Sequence, residues 1–101
     1  MVTYTVENDE YILKLTSKKI NTISPDTNSE ICFYKMYYHI TEKLTSNIFL
    51  SDSELFSSEY IGVIRTAQKA KQFFSEKKIN NSLVNQLISQ YDEAHQLLLQ
   101  I

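Results

Sequence analysis

Two histidines, one cysteine and twelve carboxylates are the groups in this 101-residue chain that most readily do chemistry. His39 and His95 have the atoms for metal binding or proton transfer. Neither lies in an HExxH arrangement or beside a cysteine at metal-ligand spacing. A composite centre would need folding to bring both histidines to a carboxylate such as Asp92. Asp92 and Glu93 are neighbours and point about 100° apart on a helix, which is poor geometry for sharing a proton or an ion. Asp52 and Glu54 read as partners for a helix N-terminus, and Glu7, Asp9 and Glu10 as a polar turn. Gly62 is the lone glycine, so no glycine-rich phosphate loop can be built. The inventory assigns no catalytic residue, metal site or cofactor, and the expectation is a protein that is not an enzyme.

Recognition chemistry is better represented. Residues 31–40 read ICFYKMYYHI, and only Lys35 and His39 among them are plainly polar. Laid on a helix, Phe33, Met36, Tyr37 and Ile40 form a core-facing stripe, with Ile31, Tyr34 and Tyr38 on a second flank. With Cys32 the apolar arc spans roughly 260°, wider than a peripheral helix needs. Either the chain's own N-terminal segment covers that flank, or Ile31, Tyr34 and Tyr38 are a protein-binding patch. Tyrosine suits such a patch because it combines a large rigid contact with a polar tip.

A second candidate is electrostatic. The net charge is −2, but residues 61–80 carry +4 while the flanking segments are acidic. Arg65, Lys69 and Gln72 share one helical face, which would meet an acidic protein partner. A nucleic-acid backbone is the alternative ligand for that face. Against it, the helix that would read bases, SLVNQLISQYDEA, contains no lysine or arginine.

The elements that must position these groups emerge from periodicity. Val2, Tyr4 and Val6 alternate with threonines, and YILKL repeats the alternation after the polar break ENDE, so residues 2–20 read as a β-hairpin, with a short helix as the rival. TISPDTNSE is a turn-rich break, with Asn28 or Ser29 as a cap for the next element. Phe33, Tyr37, Ile40, Leu44 and Ile48 then fit a helix over about 29–49. A second helix is expected over about 54–78, with Ser51 and Glu54 as its capping box and Tyr60, Val63, Ala67, Ala70 and Phe74 as its stripe. A third is expected over about 82–99, with Val84, Leu87, Tyr91, Ala94 and Leu98 facing inward.

The expected fold is therefore mainly α, a small single domain (1–101) of three helices with an N-terminal hairpin; the alternative is an antiparallel four-helix bundle. Cys32 has no partner for an intrachain disulfide and suits a reducing, cytoplasmic setting. The start MVTYTVENDE shows no leader pattern, and no apolar run approaches the ~18 residues a membrane span requires. The function expected is non-enzymatic: a protein-binding regulator, inhibitor or immunity-type protein acting by surface occupation. A nucleic-acid-binding regulator and a self-associating structural protein, as a homodimer, are the alternatives.

Overall fold

The structure is a computed structural model that describes residues 1–99, with side chains through His95. Five strands precede two helices: β1 (Val2–Glu7), β2 (Tyr11–Ile23), β3 (Glu30–Glu42), β4 (Ile48–Leu50), β5 (Glu54–Phe56), α1 (Glu59–Glu76) and α2 (Ser82–Leu99). All pairings are antiparallel, in the order β1-β2-β3-β4, with β5 also on β3. Both helices pack on one face of this sheet. The fold is mixed α/β, which corrects both the three-helix domain and the four-helix bundle.

The correction turns on residues 29–49, expected as a helix. Residues 30–42 are instead the central strand, paired over thirteen positions with β2, from Tyr11↔Glu42 to Ile23↔Glu30. Ile31 and Ile40 are β-branched, and Phe33, Tyr34, Tyr37 and Tyr38 are aromatic, all strand-favouring types. Apolar residues at nearly every position satisfy helical and strand periods alike. The wide arc inferred on a helix is, on a strand, simply two apolar faces. Side chains two apart share a face, so Tyr34, Met36, Tyr38 and Ile40 turn toward the helices, and Ile31, Phe33, Lys35, Tyr37 and His39 turn away. Of the expected core stripe, Met36 and Ile40 are buried, while Phe33 and Tyr37 lie on the opposite, helix-free face.

The turn signals survive in a different role. Asn28 caps no helix; it closes the β2–β3 hairpin with a φ of 55°. The Ser24 N–H donates to the Ser29 carbonyl, and the Asn28 N–H donates to the Ser24 carbonyl. The β3–β4 connection repeats this geometry: the Glu42 N–H donates to Asn47, the Ser46 N–H donates to Glu42, and Ser46 has a φ of 61°. Thr27 and Thr45 occupy the same place in each turn, their hydroxyls accepting the N–H two residues on.

β4 and β5 together form an interrupted edge. In β4, Leu50 lies opposite His39, and in β5, Glu54 lies opposite Met36. Four residues on the edge thus span three on β3, which is one extra residue, a bulge centred on Ser51–Ser53. Ser51, expected in a helix capping box, instead bonds to Tyr38 in both directions. α1 begins later than expected, with the Ser58 hydroxyl accepting from the Ile61 N–H. It ends in a Schellman arrangement in which Lys78 has a φ of 59° and the Ile79 N–H reaches the Phe74 carbonyl.

The core forms where the sheet meets the helices: Leu13, Leu15, Met36 and Ile40 beneath Val63, Ala67, Ala70 and Phe74 of α1 and Leu83, Val84, Leu87 and Tyr91 of α2. Tyr60 and Ala94, expected to face inward, are exposed, and the Leu98 side chain lies outside the described residues. Gly62 lets α1 approach β3: a Cβ there would stand 2.7 Å from Met36 Cε and 2.9 Å from Phe56 Cδ2. Replacing Gly62 with Ala gains about 1 kcal/mol of helix propensity but overpacks a filled site, which typically costs ~1–3 kcal/mol. Gly62→Ala is therefore expected to lower the midpoint of urea unfolding, and adding Met36→Val should recover part of the loss. A Gly62→Ala variant at least as stable as the parent would contradict this packing.

Tyr91 supplies a second test. It is 1% exposed, and no described residue meets hydrogen-bond geometry with its hydroxyl, although the Glu59 carboxylate lies close enough to act on it. Burial, and then the Glu59 carboxylate, push its pKa up to about 12 from an ordinary value near 10. Below pH 10 the group is neutral whether folded or unfolded. Above that, the unfolded tyrosine ionises while the folded one resists, so its contribution to stability is lost between pH 10 and about 12. Tyr91→Phe should leave stability at pH 7 unchanged or slightly raised, and should flatten the alkaline limb of a melting-temperature profile.

Candidate functional site

The largest concentration of predicted recognition residues lies between α1 and the bulged edge. Here the structure brings Tyr38 together with Lys69 and Gln72 around an open groove of about 440 Å³. A second recess of about 390 Å³ continues along α1 to Arg65 and shares Glu54, Lys69 and Gln72 with the first. Ile31 and Tyr34 do not join them. Ile31 sits on the helix-free face near the hairpin tip, and Tyr34 is four residues from Tyr38 on the same face, about 13 Å along the strand. Tyr34 lies beside Cys32, whose thiol raises the tyrosine hydroxyl's pKa.

The groove is built from the backbone outward. The Ser51 N–H donates to the Tyr38 carbonyl at 3.1 Å, and the Tyr38 N–H donates to Ser51 Oγ at 2.8 Å. The bulge beyond Leu50 presents Asp52 and Glu54 to the groove, and α1 contributes Lys69, Gln72, Phe73 and Glu76 from the other bank. The Tyr38 ring lies 6.1 Å from Phe73, which in turn lies 4.9 Å from Phe49. Lys77 Nζ sits 5.4 Å from the Phe49 ring centre and 5.8 Å from that of Phe73, a cation–π contact at the far end of the aromatic row.

The charges do not stand as the sequence suggested. Lys69 forms an ion pair with Glu54, and Gln72 donates to Glu76 Oε1 at 3.3 Å. With Lys69 engaged, the unbalanced charge lining the groove is negative, from Asp52 and Glu76. Burial raises the Tyr38 pKa first, and the Glu76 and Asp52 carboxylates raise it further. Tyr38, Asp52 and Glu76 thus line one groove together.

This arrangement suits contact better than bond-making. Ser51 Oγ is committed to the Tyr38 N–H, and no histidine lines the groove to act as its base. His39 points from the helix-free face, whereas His95 stacks on Tyr91 at 5.0 Å, so His39, His95 and Asp92 are not brought together. Among the described residues, no group of three or more His, Cys, Asp or Glu is placed to hold a metal ion. No described helix is long and apolar enough to cross a membrane.

Sequence reasoning misses Ser51, Phe73 and Glu76 as groove members and gives Asp52 and Glu54 a helix-capping role. A three-residue strand carries too little periodicity to be seen. Removing the Ser51 hydroxyl tests the construction, because the Tyr38 N–H would lose its acceptor. Ser51→Ala should cost about 1–2 kcal/mol in denaturant unfolding and speed exchange of the Tyr38 amide. Unchanged stability with unchanged exchange would show that this bond does not hold the edge.

Comparison of the chain with protein-family models, with curated proteins and with solved structures gives no match, so the case for a function rests on this geometry.

Proposed function

We propose that the protein is a small non-enzymatic protein-binding regulator or inhibitor that acts by occupying a partner's surface. In this reading the groove beside Tyr38 receives a basic side chain of that partner. The observation that carries it is a groove lined together by Tyr38, Asp52 and Glu76, with the Phe73 ring 6.1 Å from that of Tyr38. An ammonium or guanidinium entering there meets two carboxylates, a hydroxyl acceptor and an aromatic wall, the set that recognises a lysine or arginine. The ion pair between Lys69 and Glu54 supports a basic rather than an acidic contact at this place, because it neutralises the one lysine among the described residues that lines the groove. Arg65, an exposed cation in the adjoining recess along α1, bounds the contact on that side.

The test is a titration of isotope-labelled protein with short arginine- and lysine-containing peptides, and with the same peptides carrying glutamine instead. The basic peptides should shift the amide signals of Tyr38, Ser51, Asp52, Gln72 and Glu76. Glu76→Lys should abolish the response, and Tyr38→Ala should weaken it about tenfold, the loss of one well-packed anchor. Basic and glutamine peptides giving the same response, or shifts scattered away from these residues, would defeat the proposal.

A further inference from the structure

The second face of the sheet carries no helix, and its side chains form an ordered series. Directly opposed residues of β2 and β3 give the rungs Lys14–His39, Thr16–Tyr37, Lys18–Lys35 and Ile20–Phe33. Successive rungs on one face are two residues apart, about 6.8 Å. Cationic and aromatic rungs therefore alternate along the strand pair. None of the outward positions of β2 or β3 is a carboxylate. The acidic residue at an outward position of β1, Glu7, is ion-paired with Lys43 at 2.7 Å.

Two features set this face apart from ordinary solvated strand surface. Lys18 and Lys35 stand directly opposite each other, a like-charge pair that weakens the ladder on which it sits. In a chain with a net charge of −2, three lysines are gathered here with no acid interleaved among them. Their counter-charge is not supplied by the sheet itself. Phe33 and Tyr37 are half-buried by neighbours on the strand and have no helix above them.

We propose that this face is a binding site for single-stranded nucleic acid. Phosphates meet Lys14, Lys18 and Lys35, and unpaired bases stack on Tyr37 and Phe33. An acidic protein would answer the lysines alone, whereas a polymer that alternates charge with flat apolar rings answers the whole series. Paired bases in a duplex are unavailable for stacking, which selects a single strand. The site lies across the sheet from the Tyr38 groove and does not depend on the function proposed for that groove.

The experiment is fluorescence anisotropy with a labelled dT20 oligonucleotide and, in parallel, a labelled duplex of equal length, at 50 and 200 mM NaCl. dT20 should bind more tightly than duplex, and more weakly at the higher salt. Phe33→Ala and Tyr37→Ala should each weaken dT20 binding about tenfold, as loss of one stacking platform does. Lys18→Gln and Lys35→Gln should each lower the log–log salt slope by about 0.7. Lys71→Gln, on the exposed side of α1, should change neither, and circular dichroism melts establish that each variant is folded. Three outcomes overturn the proposal. One is the absence of dT20 binding at 50 mM NaCl. The second is equal binding of duplex together with indifference to the aromatic variants, which marks a polyanion surface only. The third is displacement of dT20 by polyglutamate at matched charge with the aromatic variants binding normally, which marks an acidic-protein surface.

Discussion

The ladder between β2 and β3 is the constraint on which the rest of the molecule depends. Each strand contributes thirteen residues, and every other element attaches to one of the two. β1 lies along the first part of β2, β4 and β5 along β3, and the helices cover only the end where these added strands widen the sheet. The pairing of β1 ends at Ser17 and that of β5 at Tyr34, so beyond the Lys19–Tyr34 pair the ribbon continues as two strands alone to the Ser24–Ser29 turn, which accounts for the long axis of 50 Å against a thickness of 19 Å. A two-stranded ribbon is marginal in water by itself. It persists here because its base is anchored in a core that includes Leu13, Leu15, Met36 and Ile40, all at most 1% exposed.

Because side chains alternate along a strand, one register decides both surfaces at once. With Leu13 opposite Ile40, Tyr38 must turn toward α1 and Tyr37 must turn away. A slip of a single residue would exchange them, burying Lys35 and His39 against the helices and exposing Met36 and Ile40. The cost of burying a lysine without a partner makes that alternative prohibitive. The same alternation sorts charge. Lys14, Lys18 and Lys35 go to the helix-free side and Glu54 of β5 to the helix side, where Asp52 of the bulge and Glu76 of α1 join it at the groove. A net charge of −2 conceals this division, since it sums over two faces that meet different surroundings.

The parts of the fold that are legible in the sequence are those whose apolar pattern fits one period only. Val2, Tyr4 and Val6 alternate against threonines, and they lie in a strand with β2 as its partner. Val63, Ala67, Ala70 and Phe74 on α1, and Val84, Leu87 and Tyr91 on α2, fit a helix and no strand, and all seven are buried. ICFYKMYYHI misleads because both its faces are apolar, so the pattern contains helical and strand spacings together. The decisive signal is the residue types rather than the spacing: two isoleucines and four aromatics favour a strand where a helix would prefer leucine, alanine or glutamate. The groove is partly legible. Lys69 and Gln72 read as surface recognition groups and do line it; Glu76 is the i+4 neighbour of Gln72 on the same helix, whereas Glu54, the partner of Lys69, comes into view only once the edge is folded against α1.

The bulge on that edge shows how much one residue controls. In β4, Phe49 opposes Ile40 and turns inward; had the strand continued in that register, odd-numbered residues would have kept facing the helices. The extra residue reverses the parity, so that Glu54 and Phe56 face inward and Leu55 turns out beside Lys35. Phe56 then reaches the spot left open by the missing Cβ of Gly62, and Glu54 reaches Lys69. The core and the groove therefore share a cause. Without the bulge, Leu55 would meet α1 at a position fitted to an aromatic ring, and Glu54 would join the lysine-rich face, where it would neutralise Lys35 across the ladder. A bulge at this point thus keeps the outward positions of β2, β3 and β5 without acids and Lys69 on the groove wall paired, two properties that would otherwise be lost together.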